Sequence, residues 1–127
     1  MQGLHLTADL NRCQCDAACL TDSARLMGRC TQEVLGAGLP PVNQLAHSFP
    51  ATEHGPGGVT ATVLLAESHL CVHTWPEQMG VTVDVYVCNV GADHSAKAQR
   101  LMDALIALFA PEELQRHALQ RGGTPVG

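Results

Sequence analysis

A short run in the middle of the chain, Glu67-Ser68-His69-Leu70-Cys71-Val72-His73-Thr74-Trp75-Pro76-Glu77, gathers several of the kinds of side chain that transfer protons or form covalent bonds. Hydroxyl, thiol, imidazole, indole and carboxylate groups all occur in it. Read as a strand, it puts Ser68, Leu70, Val72 and Thr74 on one face and His69, Cys71, His73 and Trp75 on the other. Polar groups in such a position need partners when buried. One chemistry this set could carry is hydrolysis, with Ser68 as nucleophile, a histidine as base and Asp84 orienting it. Against it, Ser68 sits in Ala66-Glu67-Ser68-His69-Leu70, which is not the G-x-S-x-G turn of a nucleophile elbow. Another is metal binding by His69, His73 and Glu77. The i,i+4 histidine pair suits a helix, whereas on a strand the two are separated by four residues of rise. The bland alternatives are a turn serine at Ser68, a satisfied core histidine at His73, a buried thiol at Cys88, and packing roles for Phe49, Trp75 and Tyr86.

The elements that must carry these residues follow from periodicity. Residues 3–10 alternate Leu4, Leu6, Ala8 and Leu10 with His5, Thr7 and Asp9, the pattern of a half-buried strand. Residues 11–20 show no period and read as a loop. Thr21 or Asp22 caps a helix that runs to about Leu35, with Leu26, Met27, Cys30 and Val34 on one side. Strands are expected at 42–49, 59–66, 69–74 and 81–88. In the last of these, Val81, Val83, Val85 and Val87 alternate with Thr82, Asp84, Tyr86 and Cys88. Asp93 or Ser95 caps a final helix to about Phe109, striped by Ala98, Leu101, Met102, Leu105 and Ile106. A short strand at 113–119 precedes a Gly- and Pro-rich tail. The order β-α-β-β-β-α predicts an α+β two-layer sandwich: a mostly antiparallel sheet with helices packed on one face, in a single domain over 1–127. The sheet's second face carries apolar and mixed residues, which predicts burial against a second subunit, a homodimer.

Composition narrows the classes. The chain has 127 residues, 46% of them hydrophobic, and a formal net charge of −5. That balance argues against a nucleic-acid surface and against a polybasic membrane patch. No apolar run is long enough to span a bilayer, and no basic leader precedes an apolar segment, so a cytoplasmic protein is expected. Cys13, Cys15 and Cys19 cluster, while Cys30, Cys71 and Cys88 are scattered. The C-x-C-x3-C spacing matches zinc knuckles poorly, and buried free thiols are the expected state.

The string Glu67-Ser68-His69 followed by Val72-His73-Thr74-Trp75-Pro76-Glu77 resembles the processing and active-site signature of the bacterial and archaeal type of S-adenosylmethionine decarboxylase proenzymes. The similarity extends through Val83-Asp84-Val85-Tyr86-Val87-Cys88, and back through Gly58-Val59-Thr60 and His47-Ser48-Phe49. The resemblance implies self-cleavage. The Ser68 hydroxyl attacks the Glu67 carbonyl and an acyl shift makes an ester. Elimination and hydrolysis then leave a pyruvoyl group at residue 68. The products are a β chain of 1–67 and an α chain of 68–127. The pyruvoyl group is the cofactor, covalent and derived from Ser68, which forms a Schiff base with the amine of a small amino-acid-type substrate and acts as an electron sink. By the same resemblance His73 is the processing base, Thr60 assists the acyl shift where relatives often have serine, and Cys88 returns the proton to the substrate. Phe49 and Glu77 bind the substrate. No metal is implied.

This sequence departs from that pattern in three places. The Pro50–Gly57 segment is longer than the usual connection, Glu77 is followed by Gln78 rather than an aromatic residue, and the Arg12–Cys19 stretch is atypical. These bear on substrate choice rather than on self-cleavage. S-adenosylmethionine is the first expectation, in a route to spermidine. L-ornithine or L-arginine decarboxylation by the same group is the alternative, and a non-catalytic partner subunit of a decarboxylase is another.

Overall fold

In the computed structural model, which describes residues 1–123, one six-stranded antiparallel sheet carries all the helices on a single face. The strands are β1 (Gly3–Cys13), β2 (Pro41–Ser48), β3 (Val59–Leu65), β4 (Ser68–Trp75), β5 (Gly80–Cys88) and β6 (Pro111–Arg121), in the spatial order β2-β3-β4-β5-β1-β6. The helices are α1 (Ala18–Thr21), α2 (Ser23–Gly36) and α3 (Ser95–Phe109). The α+β sandwich expected from the sequence is therefore the observed fold.

Each element follows from its residues. In β1 the even positions Leu4, Leu6, Ala8 and Leu10 are buried, and in β5 the four valines from Val81 to Val87 are at most 1% exposed. Both rows point at the helices. Asp22 caps α2 by accepting from the backbone N–H groups of Ala24 and Arg25. The Leu26, Met27, Cys30 and Val34 stripe then packs α2 on β2 and β3. Helix α3 lies on β1 and β5 through Ala98, Leu101, Met102, Leu105 and Phe109, all fully buried. Each large apolar side chain removed from water in this layer contributes about 1.5–3 kcal/mol.

Two boundaries differ from the sequence expectation. Residues 11–20 are not one loop: β1 continues to Cys13, and α1 forms a single turn at Ala18–Thr21. Arg12 sits at a φ of 50°, in the left-handed region, so the strand end is kinked and lacks the alternation that a sequence pattern detects. Strand β6 is longer than the expected 113–119, pairing from Cys13↔Pro111 to Gly3↔Arg121 along the edge of β1. It is held by Arg12 to Glu112 and Glu113 and by Arg116 to Asp103. The expected tail continues into residues 124–127, which lie outside the described residues.

The layer leaves the opposite face of the sheet without helices. His5, Thr7 and Asp9 of β1, Thr60 and Thr62 of β3, and His69, Cys71, His73 and Trp75 of β4 belong to this open face. So do Thr82, Asp84 and Tyr86 of β5.

Candidate active site

Strands β3 and β4 form a tight hairpin in which Leu65 pairs with Ser68, leaving only Ala66 and Glu67 in the turn. Glu67 takes a φ of 55°. A left-handed non-glycine residue costs about 1–2 kcal/mol, so the residue that precedes Ser68 is held in an unfavourable conformation. Ser68 opens β4 and is half-buried. Its Oγ accepts a hydrogen bond from the backbone N–H of Cys88 at 3.0 Å. Cys88 ends β5 opposite Gly3, and the next residue, Asn89, donates its N–H to the Gln2 carbonyl. The hairpin and the end of β5 thus bring Glu67, Ser68 and Cys88 together.

The other end of β4 carries a second group. Thr60 and His73 are cross-strand partners, and the Thr60 Oγ1 lies 3.0 Å from His73 Nδ1. His73 also lies beside Trp75, with ring centroids 6.3 Å apart. Both residues border a cavity of about 580 Å³, which is lined as well by Phe49, Glu77 and the loop between β2 and β3. Such a volume accommodates a small-molecule ligand. Phe49 meets His47 edge-on at 4.8 Å between centroids and remains half exposed at 51%. Thr74, also at the cavity wall, is buried and committed to the fold. Its hydroxyl donates to the Leu20 carbonyl at 2.7 Å and accepts from the Val59 N–H at 2.8 Å.

The predicted residues therefore fall into two sets at opposite ends of one strand. Glu67, Ser68 and Cys88 form the first, and Phe49, Thr60, His73 and Glu77 the second. At about 3.3 Å of rise per residue, the steps from Ser68 to His73 span roughly 16 Å. His73 does not reach Ser68 within one chain.

The alternative chemistries are not assembled. Asp84 lies opposite Cys71 and approaches His5 at 3.7 Å, so it orients no histidine onto Ser68. His69 and His73 share a face but stand roughly 13 Å apart along the strand. Among the described residues, no group of three or more His, Cys, Asp or Glu has metal-binding geometry.

One cluster was not singled out from the sequence as a unit. His5, His69 and Tyr86 come from β1, β4 and β5, and their rings lie 5.8–6.3 Å apart. Arg121 of β6 lies over the Tyr86 ring at 5.3 Å. Burial and the neighbouring His5 hold the His69 imidazole below its ordinary value, with Asp84 opposing. His5 Nε2 is buried with no hydrogen-bond partner among the described residues. Strand alternation gives the face of each residue, but only sheet order makes them neighbours.

All seven predicted site residues lie within residues 4–122, the span matched by the sequence profile of the S-adenosylmethionine decarboxylase family. The chain belongs to this family. It is 35% identical over 120 residues to the S-adenosylmethionine decarboxylase proenzyme of Aquifex aeolicus, covering 94% of this chain and 81% of that one. To the proenzyme of Parasynechococcus marenigrum it is 39% identical, covering 94% of this chain and 83% of the relative. The crystal structure of the adenosylmethionine decarboxylase from Aquifex aeolicus superposes with a TM-score of 0.82 at 33% identity. That match covers 97% of this chain and 92% of the other. The family's fold therefore extends over both ends of β4.

Proposed function

We propose that this chain is a pyruvoyl-dependent decarboxylase of S-adenosylmethionine that matures by cleaving itself between Glu67 and Ser68, in a route to spermidine. The observation that carries the reading is the junction itself. A strained Glu67 precedes a serine whose Oγ is anchored by the Cys88 N–H. That anchor restrains the oxygen that, on this reading, attacks the Glu67 carbonyl. The new C–O bond forms as the Glu67–Ser68 C–N bond breaks. Loss of the Ser68 α-proton then expels the Glu67 carboxylate, and water hydrolyses the resulting dehydroalanine, releasing the residue 68 nitrogen as ammonia. The serine hydroxyl, the tight turn and the neighbouring thiol fit a pyruvoyl group at residue 68. That group, once formed, supplies the electron sink for loss of CO2.

The remaining roles belong to the protein. Cys88, beside residue 68, returns a proton to the substrate carbon. His73 is the base for the Ser68 α-proton, with its ring oriented by Thr60. Because the two sets lie at opposite ends of β4, this reading requires a second copy. When two open faces stack about a two-fold axis running across the strands, β4 lies antiparallel over the partner's β4. The hairpin end of β4, which carries the Glu67–Ser68 junction, then lies over the opposite end of the other β4, which carries the partner's His73, and the arrangement makes two equivalent sites. The chemistry of this reading and the open face both support a homodimer of αβ units. The cavity beside His73 has aromatic and proline walls and one carboxylate, Glu77. A nucleoside uses those walls; a linear basic amino acid leaves them unused. The six unpaired cysteines support a reducing, cytoplasmic setting.

Intact mass under denaturing conditions tests the core of this reading. The protein is expected as two chains, 1–67 and 68–127, the second blocked by a pyruvoyl group. Ser68→Ala should persist as one chain of 13.4 kDa. Release of CO2 is expected from S-adenosylmethionine, and not from ornithine or arginine assayed beside it. A wild-type chain that stays whole with a free serine at position 68 overturns the proposal.

A further inference from the structure

The cavity beside His73 draws seven of its lining residues from one segment, Phe49 to Gly58, excluding only Ala51, Glu53 and Gly55. This segment is braced. Phe49 N–H donates to the Gly58 carbonyl, closing the loop at its base. At its tip, Thr52 and Gly55 exchange both backbone hydrogen bonds at 2.9 and 3.0 Å, and the Thr52 hydroxyl accepts from the His54 N–H. A Cβ at Gly57 would collide with the Phe49 carbonyl, and one at Gly58 with the Thr74 carbonyl. Backbone packed so closely at the base, with prolines at 50 and 56, makes the loop a fixed wall.

Hydrogen-bond accounting at this wall singles out one side chain. The polar residues among its lining are Thr52, Thr60, His73, Thr74 and Glu77, together with Trp75 and His54. The Thr52 hydroxyl caps the loop, Thr60 and His73 hold each other, and Thr74 is bonded inside the fold. Glu77, Trp75 and His54 keep uncommitted polar atoms. The first two come from the end of β4 and the turn after it. His54 alone comes from the loop. Among the described residues its one ion-pair partner is the adjacent Glu53 at 3.6 Å, and both side chains are more than three-quarters exposed. Such a pair does little for the fold.

We infer that His54 is a substrate-binding residue. A rigid loop brings His54, with no structural duty in the fold, to the lining of a largely apolar cavity, where an imidazole can donate or accept a hydrogen bond. It would read the polar edge of the nucleoside end of the substrate, together with Glu77, and so determine specificity. A few convergent polar groups on apolar walls is how such cavities orient a ligand. This inference rests on the substrate reading above.

The test uses the processed enzyme and one probe that bypasses the reaction. His54→Ala is expected to raise KM for S-adenosylmethionine 5- to 20-fold with kcat within twofold, as loss of one hydrogen bond to ligand predicts. His54→Gln, which keeps a donor and an acceptor, should recover most of that loss, and Glu53→Ala should change KM less than twofold. Methylthioadenosine, a nucleoside without the amino-acid end, should bind the unprocessed Ser68→Ala chain 5- to 20-fold more tightly than the Ser68→Ala, His54→Ala double variant. Self-cleavage of His54→Ala, read by mass, should match the wild type. Unchanged KM and unchanged methylthioadenosine binding in the alanine variants overturn the role of His54 while leaving the decarboxylase reading intact. If the wild type neither cleaves itself nor releases CO2, the decarboxylase reading is what fails.

Discussion

At the scale of single residues, His69 shows how a neighbour in the chain can differ in duty from the residue beside it. Ser68 turns its oxygen to the Cys88 N–H, while His69 joins His5 and Tyr86 on the open face. The His69 imidazole is held below its ordinary 6.5, first by burial and then by His5. The folded chain therefore binds this proton less readily than the unfolded chain does. As pH falls through about 6.5 the unfolded state takes up more protons, so stability falls with it. The groups facing His69 are His5, Asp84, Tyr86 and Arg121, of which only Asp84 favours its charged form. We expect the melting temperature to be lower at pH 5.5 than at pH 7.5. In His69→Asn that difference should shrink, and thermal unfolding at the two pH values measures it.

The cysteines divide at this scale too. Burial pushes Cys30 up to about 12 and Cys13 to about 11, so neither is a thiolate near neutral pH. Cys88 is distinguished by position instead, at a strand end beside Ser68. That position was legible from the Val83–Cys88 string, whereas its hydrogen bond to Ser68 was not.

At the scale of elements, β4 is the organising piece. It is pinned at one end by the two-residue hairpin and at the other by Thr74, whose hydroxyl ties β4 to β3 and to α1. Thr74→Val keeps the shape and deletes the hydroxyl, leaving the Val59 N–H buried without its acceptor. A loss of about 1–3 kcal/mol in unfolding free energy is expected, measured by denaturant titration of the Ser68→Ala chain, which remains in one piece. Strand β6 illustrates the opposite case. Its residues are exposed along almost the whole strand, and they include good helix formers such as Glu112, Glu113, Leu114 and Gln115. Nothing in its pattern alternates cleanly. It is a strand because Ala110 ends α3 in the left-handed region, Pro111 follows, and the free edge of β1 pairs with what comes next. Tertiary pairing overrides local preference there.

At the scale of the whole molecule, the separation of Ser68 from His73 is the fact that function must answer. In the proposed dimer a two-fold pair of open faces would answer it by exchange, each subunit offering its Ser68 end and its His73 end. Mixed variants test this directly. Ser68→Ala and His73→Ala should each fail to cleave when expressed alone. Expressed together, they form dimers in which one site combines an intact Ser68 with an intact partner's His73. The His73→Ala chain should then be cleaved while the Ser68→Ala chain stays whole, as mass spectrometry can resolve. Failure of the mixture to cleave, with both variants folded, would show that the two ends of β4 do not cooperate across a dimer.

Local order was written in the chain wherever one face had to be buried. The alternating valines of β5, the leucines of β1 and the stripes of α2 and α3 declare their elements because burial imposes a period on apolar residues. The chemistry was declared as well, since the Glu67–Glu77 string carries its residue types and spacing in consecutive positions. Sheet order was not, because backbone pairing between distant strands leaves no mark on either one alone. Only the fold shows that β1 is inserted between β5 and β6, which brings His5 to Tyr86, and that Thr60 binds His73 while Ser68 lies a strand-length away. Contacts between residues far apart in sequence depend on how the elements pack, and packing was the part that only the tertiary structure decided.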